Sequence, residues 1–376
     1  MHDIWHYPRS EPAAQIIRTL AVGLVSAVAI IEPRRRGKTT FLLDDLAPAA
    51  RRDGYLPIYI NLTASTGDLE DLLASSVGAA AEGAEGLVGR LRKVGETRIK
   101  KLSAKGNVAS GELGGEVEFD RTERRGSLRA AFLELARIDK PVLFLLDEVH
   151  KLADEGASAV SWSLRSLLDT HRKRMKVVAT SSSAASYEVL VTGEKKAFNR
   201  WFTRVPLPPL GDAFVEHLAA IVRQHFPRHA IALPDIRQAF AELGHSPKFV
   251  RDYLNLRILH PALSHAGAMQ EAVAEAARES GYEDQFARLI PLQKTILVAL
   301  VSGQSQLFSE DTLKAIGSVL TGEPIAKTLM QRALRSLADK GWIIKQGRGD
   351  YTLTDVLFVQ WLQEQIRAGL LAPPNG

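Results

Sequence analysis

The sequence predicts an α/β protein in three parts: a parallel sheet covered by helices on both faces, an all-helical stretch, and a terminal unit of three helices with a β-hairpin. Three observations lead there. Five short apolar runs alternate with helical patterns over residues 1–210, the signature of a parallel sheet wrapped on both sides. After PLPPL at 206–210 the chain turns Ala-, Leu- and charge-rich at helical spacing, with no convincing strand. Beyond residue 285 three helical patterns precede two short β runs flanking Gly347-Arg348-Gly349, the order of a winged helix-turn-helix.

Taken in order, Ser10 is placed to cap a helix reaching Ala21, and Gly23 breaks the chain before a β-rich run at 24–31. A helix is expected at 39–50, then strands at 56–62, 142–147, 175–181 and 203–207, with long helices at 68–95, 124–138 and 157–174 between most of them. The helical stretch occupies 211–284. In the last part, 285–376, helices are expected at 289–301, 310–316 and 325–340, then WIIKQ and DYTLT as strands, then an amphipathic helix at 358–366. An insertion at about 90–120 fits none of these elements. Its first half carries seven basic residues (Arg90, Arg92, Lys93, Arg98, Lys100, Lys101, Lys105) against Glu96, and Gly106-Asn107 and Gly114-Gly115 suggest a small hairpin.

Composition narrows the chemistry. With 376 residues, 45% hydrophobic and 24% charged, the chain is an ordinary globular one long enough for two or three domains. The absence of cysteine excludes disulfides, cysteine-ligated zinc, iron–sulfur clusters and a thiol nucleophile. The uncharged run at 19–31 is too short to cross a bilayer and lacks the flanks of a signal peptide, so a cytoplasmic protein without membrane contact is expected. The net charge of +5 is exceeded locally by the basic insertion, where an anionic partner would find its charge.

The strongest motif is EPRRRGKTT, Glu32 to Thr40, placed between a buried strand and a helix. A loop of this kind, from Pro33 through Arg34, Arg35, Arg36, Gly37 and on to Thr40, surrounds phosphate groups at a helix N-terminus with the backbone N–H groups of the residues after the proline; Lys38 reaches the β- and γ-phosphates and Thr39 ligates Mg²⁺. The second motif, VLFLLDEVH, sets Asp147 and Glu148 at the end of an apolar strand. Asp147 suits the Mg²⁺ shell, and Glu148 is positioned to orient an attacking water. His150 is the histidine nearest this chemistry. His225 and His229 have Pro227 between them and no HExxH context, which argues against a metal site.

On these two motifs and the domain order, the chain resembles the AAA+ and STAND group of P-loop ATPases, especially prokaryotic and archaeal ATPases with GPRRxGKT-type loops, over roughly residues 10–366. The layout is similar to that of archaeal replication-initiator ATPases. The resemblance implies an AAA+-like P-loop NTPase sheet of order 5-1-4-3-2 with a helical lid, ATP and Mg²⁺ as cofactors, and several further sites. ATSSS matches the sensor-1 place, with Ser182 preferred over Ser181. AFNRWFTRVPLPPL matches the segment from which an arginine, Arg200 or Arg204, reaches a neighbouring subunit in a homo-oligomer. LGHSPKFVRDYL matches the sensor-2 segment, offering Lys248 or Arg251. The chain departs from the family at Glu32, which stands where the loop normally begins with glycine. A carboxylate beside phosphate costs about 4 kcal/mol at 4 Å and an effective dielectric near 20; neutralisation by Arg34, Arg35 or Arg36, or an outward side chain, would relieve it.

Along the helix at 325–340, Leu329, Met330, Ala333, Leu334 and Leu337 share an apolar arc. Lys327, Thr328, Gln331, Arg332 and Arg335 take the other side. With Lys345 and Arg348 on the wing, and Lys100 and Lys101 in the insertion, these are the candidate contacts to DNA. Two readings follow: an ATPase whose nucleotide state controls a DNA-binding winged helix, or a signalling or scaffold ATPase, weakly or not hydrolytic, whose winged helix docks a protein partner.

Overall fold

The computed structural model describes residues 3–64, 68–93, 128–229, 231–347 and 349–374. It divides into two compact units, one of Met1–Pro33 with Lys38–Pro208 and one of Arg34–Gly37 with Pro209–Gly376. No helix among the described residues is long and apolar enough to cross a membrane.

The first unit opens with α1 (Ser10–Ala21) and β1 (Ala27–Ile31). A continuous helical stretch follows: α2 (Lys38–Thr40), a π-helical segment (Phe41–Leu46) and α3 (Ala47–Arg52). Then come β2 (Leu56–Asn61), α4 (Leu69–Lys93), α5 (Leu128–Arg137), β3 (Val142–Asp147), a 3₁₀ turn (Val149–Ala153), α6 (Ser158–Thr170), β4 (Met175–Ser181), α7 (Ala184–Val191) and β5 (Thr203–Arg204). The five strands form one parallel sheet of order β2-β3-β4-β1-β5, the order the resemblance implies.

The apolar runs are continuous because both faces of the sheet are covered. Leu143 and Leu145 of β3, with Val28, Ile30 and Val178, pack against α1 and the helical stretch that begins at Lys38. Val142, Phe144 and Leu146 point the other way into a core shared with α4, α5, α6 and α7, where Phe144 stacks on Phe132 at 5.4 Å between ring centroids. This alternation fixes which face each strand-end residue serves.

Several boundaries differ from the sequence expectation: Ser10 lies inside α1, whose N-cap is Arg9, α6 ends at Thr170 and not at 174, and the helix expected at 310–316 runs on to Leu320. The first strand begins at Ala27, not residue 24, because Gly23 turns the chain at φ 75° and Leu24 is left exposed. The helix after the loop includes a π-helical segment immediately before α3, whose Pro48 cannot donate the usual hydrogen bond to the preceding turn. The fifth strand shortens to Thr203–Arg204, with Val205 donating to Ala29 O at 2.9 Å before Pro206 removes the next donor.

The second unit contains α8 (Asp212–His225), α9 (Leu233–Glu242), α10 (Pro247–Leu259), α11 (His265–Ser280), α12 (Tyr282–Ala287), α13 (Pro291–Val301), α14 (Glu310–Leu320) and α15 (Lys327–Asp339). The antiparallel pair β6 (Ile343–Lys345) and β7 (Tyr351–Leu353) and helix α16 (Val356–Arg367) complete it. Ser246, Ser264, Ser309 and Asp355 cap α10, α11, α14 and α16 with side-chain oxygens. Asp355 also accepts from Tyr282 Oη at 2.6 Å. Phe358 and Trp361 of α16 pack among Tyr282 and Phe286, and Trp342 lies 4.5 Å from Phe358. The last helix is thereby joined to α12 and to the start of the hairpin. On α15, Met330, Ala333, Leu334 and Leu337 are buried as expected, but Leu329 is 48% exposed: the apolar arc is narrower than the helical wheel suggested.

Candidate functional site

Because the sheet is parallel, the chain leaves β1, β3 and β4 at one edge. Ile31 pairs with Ser181 and Leu146 with Ala179, so Glu32, Asp147, Glu148 and Ser182 all emerge there. Strand parity then sorts them. Asp147 and Thr180 continue the Leu143, Leu145 and Val178 face, which the helix beginning at Lys38 covers.

That helix delivers Thr39 to Asp147: Thr39 Oγ1 donates to Asp147 Oδ2 at 2.6 Å. Tyr59 Oη donates to the same oxygen at 3.0 Å, and Thr180 Oγ1 donates to Oδ1. The carboxylate, only 3% exposed, is thus surrounded by hydroxyls. Tyr59 escaped the sequence reading, although its signal was present. It pairs with Leu145 in register, so period-2 alternation puts it on the Asp147 face. Burial, and then the Asp147 carboxylate, push its phenol well above the ordinary value, so it stays a donor at neutral pH.

The loop closes on itself through Lys38, a buried residue whose Nζ donates to Glu32 O and Pro33 O at 2.8 Å each. Gly37 makes the turn into the helix at φ 79°, a conformation costly for any side chain bearing Cβ. Glu32 N donates to Ser181 O at 3.1 Å. The charge of Glu32 acts on Arg9, a residue the sequence reading did not single out. Burial lowers the Arg9 guanidinium pKa, while Asp45 and Glu32 oppose that shift. The arginines expected to neutralise Glu32 are engaged differently, and they group with the second unit. Arg35, at φ 64°, donates to Glu279 O at 2.5 Å and to Ser280 Oγ at 3.2 Å, and lies 4.9 Å over the Phe249 ring. Arg36 donates to His245 O at 3.2 Å. Arg34 and Pro33 are exposed, as is Thr40.

Glu148 turns out of β3 in the left-handed region, φ 58° and ψ 48°. Its Oε2 accepts from Ser182 N at 2.8 Å and lies 3.2 Å from His150 Nδ1. Burial raises its pKa, but hydrogen bonds from His150 and Ser182 and the Lys38 charge outweigh that and hold it down to about 2. Glu148 is therefore an ionised acceptor at neutral pH. Ser182, expected at a γ-phosphate, is joined to Glu148.

The fold that carries this arrangement recurs in solved structures. The Walker-type ATPase PABY2304 of Pyrococcus abyssi is 16% identical, matching 96% of this chain and 100% of its own with a TM-score of 0.66. The ORC2 protein of Aeropyrum pernix, solved as ADPNP–ADP complexes, is 13% identical over 96% of this chain and 94% of its own, with a TM-score of 0.61. The chain shares the fold of these two proteins, as its resemblance to AAA+ P-loop ATPases implied. No family model and no curated protein matches the sequence.

On this fold the remaining candidates are dispersed. Lys248 is exposed and paired with Asp252 at 2.8 Å and Glu279 at 2.7 Å, the latter also 3.3 Å from Arg35; Arg251 is half-buried on the same helix. Arg204 is bound to Glu188 at 2.8 Å and lies 5.5 Å over Tyr187. Arg200 is exposed at φ 50°. Lys327, Gln331, Arg332 and Arg335 are exposed on α15, and Lys345 on β6. Lys100, Lys101, Arg348 and the hairpin expected in the insertion lie outside the described residues.

Proposed function

We propose that this chain is a Mg²⁺-dependent ATPase whose nucleotide state controls a DNA-binding winged helix. The observation that carries the reading is the 2.6 Å contact between Thr39 and Asp147, which joins the loop helix to the strand-end carboxylate from 108 positions away in the chain. The donor set fits the metal. Hydroxyl and carboxylate oxygens suit Mg²⁺, which is usually held by few protein groups and completed by phosphates and water. Thr39 and Asp147 would hold it, and it would offset charge on the β- and γ-phosphates. Lys38, now bonded to loop carbonyls, would exchange them for phosphate oxygens. Glu148, ionised and fixed, would orient the attacking water, and Ser182 would meet the γ-phosphate. Lys248 or Arg251 would act as a second cation. Of the two arginines proposed to act in a neighbouring subunit, Arg200 is favoured, since Arg204 is already paired with Glu188. The ADPNP and ADP bound to the similar ORC2 support a nucleotide at this edge.

Functionally we divide the chain at 1–210, 211–284 and 285–376. Helix α15 would present Lys327, Gln331, Arg332 and Arg335 to duplex DNA. The alternative, a docked protein, is favoured by the exposed Leu329 on α15 and Ile344 on β6, 48% and 49% exposed. Titration of a fluorescent ATP analogue against wild type and Lys38→Ala, with phosphate release in parallel, tests the core of the proposal. Tight binding and turnover by wild type alone are expected; equal weak binding by both defeats it.

A further inference from the structure

We infer that His150 is a positioning residue: its Nδ1–H, shared between Glu148 and Ser181, fixes the Glu148 carboxylate. The inference concerns the site of the ATPase reading, and its catalytic consequence rests on that reading.

The contacts of the imidazole decide where its proton sits. His150 Nδ1 lies 3.0 Å from Ser181 Oγ and 3.2 Å from Glu148 Oε2. Ser181 Oγ donates to Ser183 O at 3.0 Å and accepts from Ser183 N at 3.2 Å. A hydroxyl has one hydrogen, and when Ser181 gives it to Ser183 O the oxygen accepts from His150. The Glu148 carboxyl, whose oxygen lies 3.2 Å from the same nitrogen, is a carboxylate at neutral pH as glutamates ordinarily are, and it too accepts. Two acceptors face Nδ1, so Nδ1 carries the proton.

The ring is in turn held. His150 is 8% exposed, in the 3₁₀ turn Val149–Ala153 that follows Glu148 directly. Glu148 has a backbone conformation that a residue with Cβ keeps only when its surroundings impose it. Ser182 N–H and His150 Nδ1–H both engage Oε2, and the Ser182 side chain also bonds the carboxylate. Without the imidazole, fewer contacts would fix the last torsion, which is broad for glutamate.

Two measurements on the full chain test this. In the first, ¹⁵N-histidine NMR reads the protonation of Nδ1 without any turnover. A protonated Nδ1 whose resonance moves in Glu148→Ala is expected; a bare Nδ1, or one indifferent to Glu148→Ala, overturns the inference. In the second, steady-state hydrolysis is compared for wild type, His150→Ala and His150→Asn, whose amide N–H can replace Nδ1–H. Loss of one charge-assisted hydrogen bond predicts a kcat about tenfold lower for His150→Ala, with KM and nucleotide affinity within about twofold, and substantial recovery in His150→Asn. Unchanged kcat in His150→Ala, or equal losses in both variants, overturns the positioning role. No turnover in wild type above the Lys38→Ala level defeats the ATPase reading, and the NMR result then decides the Nδ1–H contact by itself.

Discussion

Replacing Tyr59 by Phe removes one hydroxyl from the surroundings of Asp147 and keeps the ring. Asp147 is buried, and three hydroxyls donate to it: Thr39 and Tyr59 to Oδ2, Thr180 to Oδ1. A hydrogen bond to a charged group contributes about 1.5–3 kcal/mol, and no water reaches this carboxylate easily to replace it. Tyr59→Phe is therefore expected to destabilise the nucleotide-free protein by about 1.5–3 kcal/mol. The two units need not unfold together, so the appropriate assay is hydrogen exchange at the amides of β3, which reports opening of the sheet itself. The functional half of the prediction separates Tyr59 from Thr39. Thr39→Val removes a proposed Mg²⁺ ligand and should weaken Mg²⁺-dependent ATP binding strongly; Tyr59→Phe should leave it within a few-fold. A stability change below about 0.5 kcal/mol, a size ordinary surface substitutions produce, or equal losses of Mg²⁺-dependent binding in the two variants, would refute the reasoning.

Other expectations can be checked separately. Hydrogen bonding to Asp45 raises the His6 pKa above 6.5 despite burial, with further help from the charges of Asp45, Asp44 and Asp3. A raised folded-state value means that this stabilisation is complete below pH 6.5 and is lost as pH rises through the folded value; wild type should therefore lose its advantage over His6→Gln as pH climbs from 6.5, in urea titrations at stepped pH. In α14, a Cβ on Gly317 would overlap the backbone carbonyl of Glu323 and sit 2.9 Å from Pro324 Cα. Gly317→Ala should accordingly cost about 1–3 kcal/mol, where an unhindered helix position would gain up to about 1 kcal/mol; a raised melting temperature would contradict it. If α15 binds duplex DNA, each of Lys327→Gln, Arg332→Gln and Arg335→Gln that removes a phosphate contact should flatten the log–log salt slope by about 0.9, whereas a protein-docking face would give no such increments. Finally, the charge of Glu32 acts on Arg9, so Arg9→Gln should weaken ATP binding more than the double variant Arg9→Gln/Glu32→Gln, measured by isothermal titration.

The sheet was legible in the sequence because burial on both faces writes each inner strand as an unbroken apolar run. Parity within those runs carried more than the strand positions. Once Leu143 and Leu145 face the loop helix, Asp147 must do so too, and Tyr59 and Thr180 follow from register. The placement of the loop arginines was not legible. Their partners Phe249, Glu279 and Ser280 lie more than 200 positions along the chain, and nothing local distinguishes an arginine that meets phosphate from one that meets a helix end. His150 was visible only as a neighbour of the DE pair. Its engagement depends on the left-handed turn at Glu148, which no period in the sequence encodes.

The same limit applies to the setting of Glu32. The Coulomb estimate treated an isolated carboxylate beside phosphate and sought its neutralisation within the loop, at Arg34, Arg35 or Arg36. In the structure the backbone of Glu32 is pinned by Lys38 and Ser181, while its charge opposes the desolvation of Arg9. Glycine in this position would remove the repulsion but would also leave Arg9 with Asp45 as its remaining acidic support. Glu32 is one of two acidic side chains whose charge supports the Arg9 guanidinium against burial, and Asp45 is the stronger of the two.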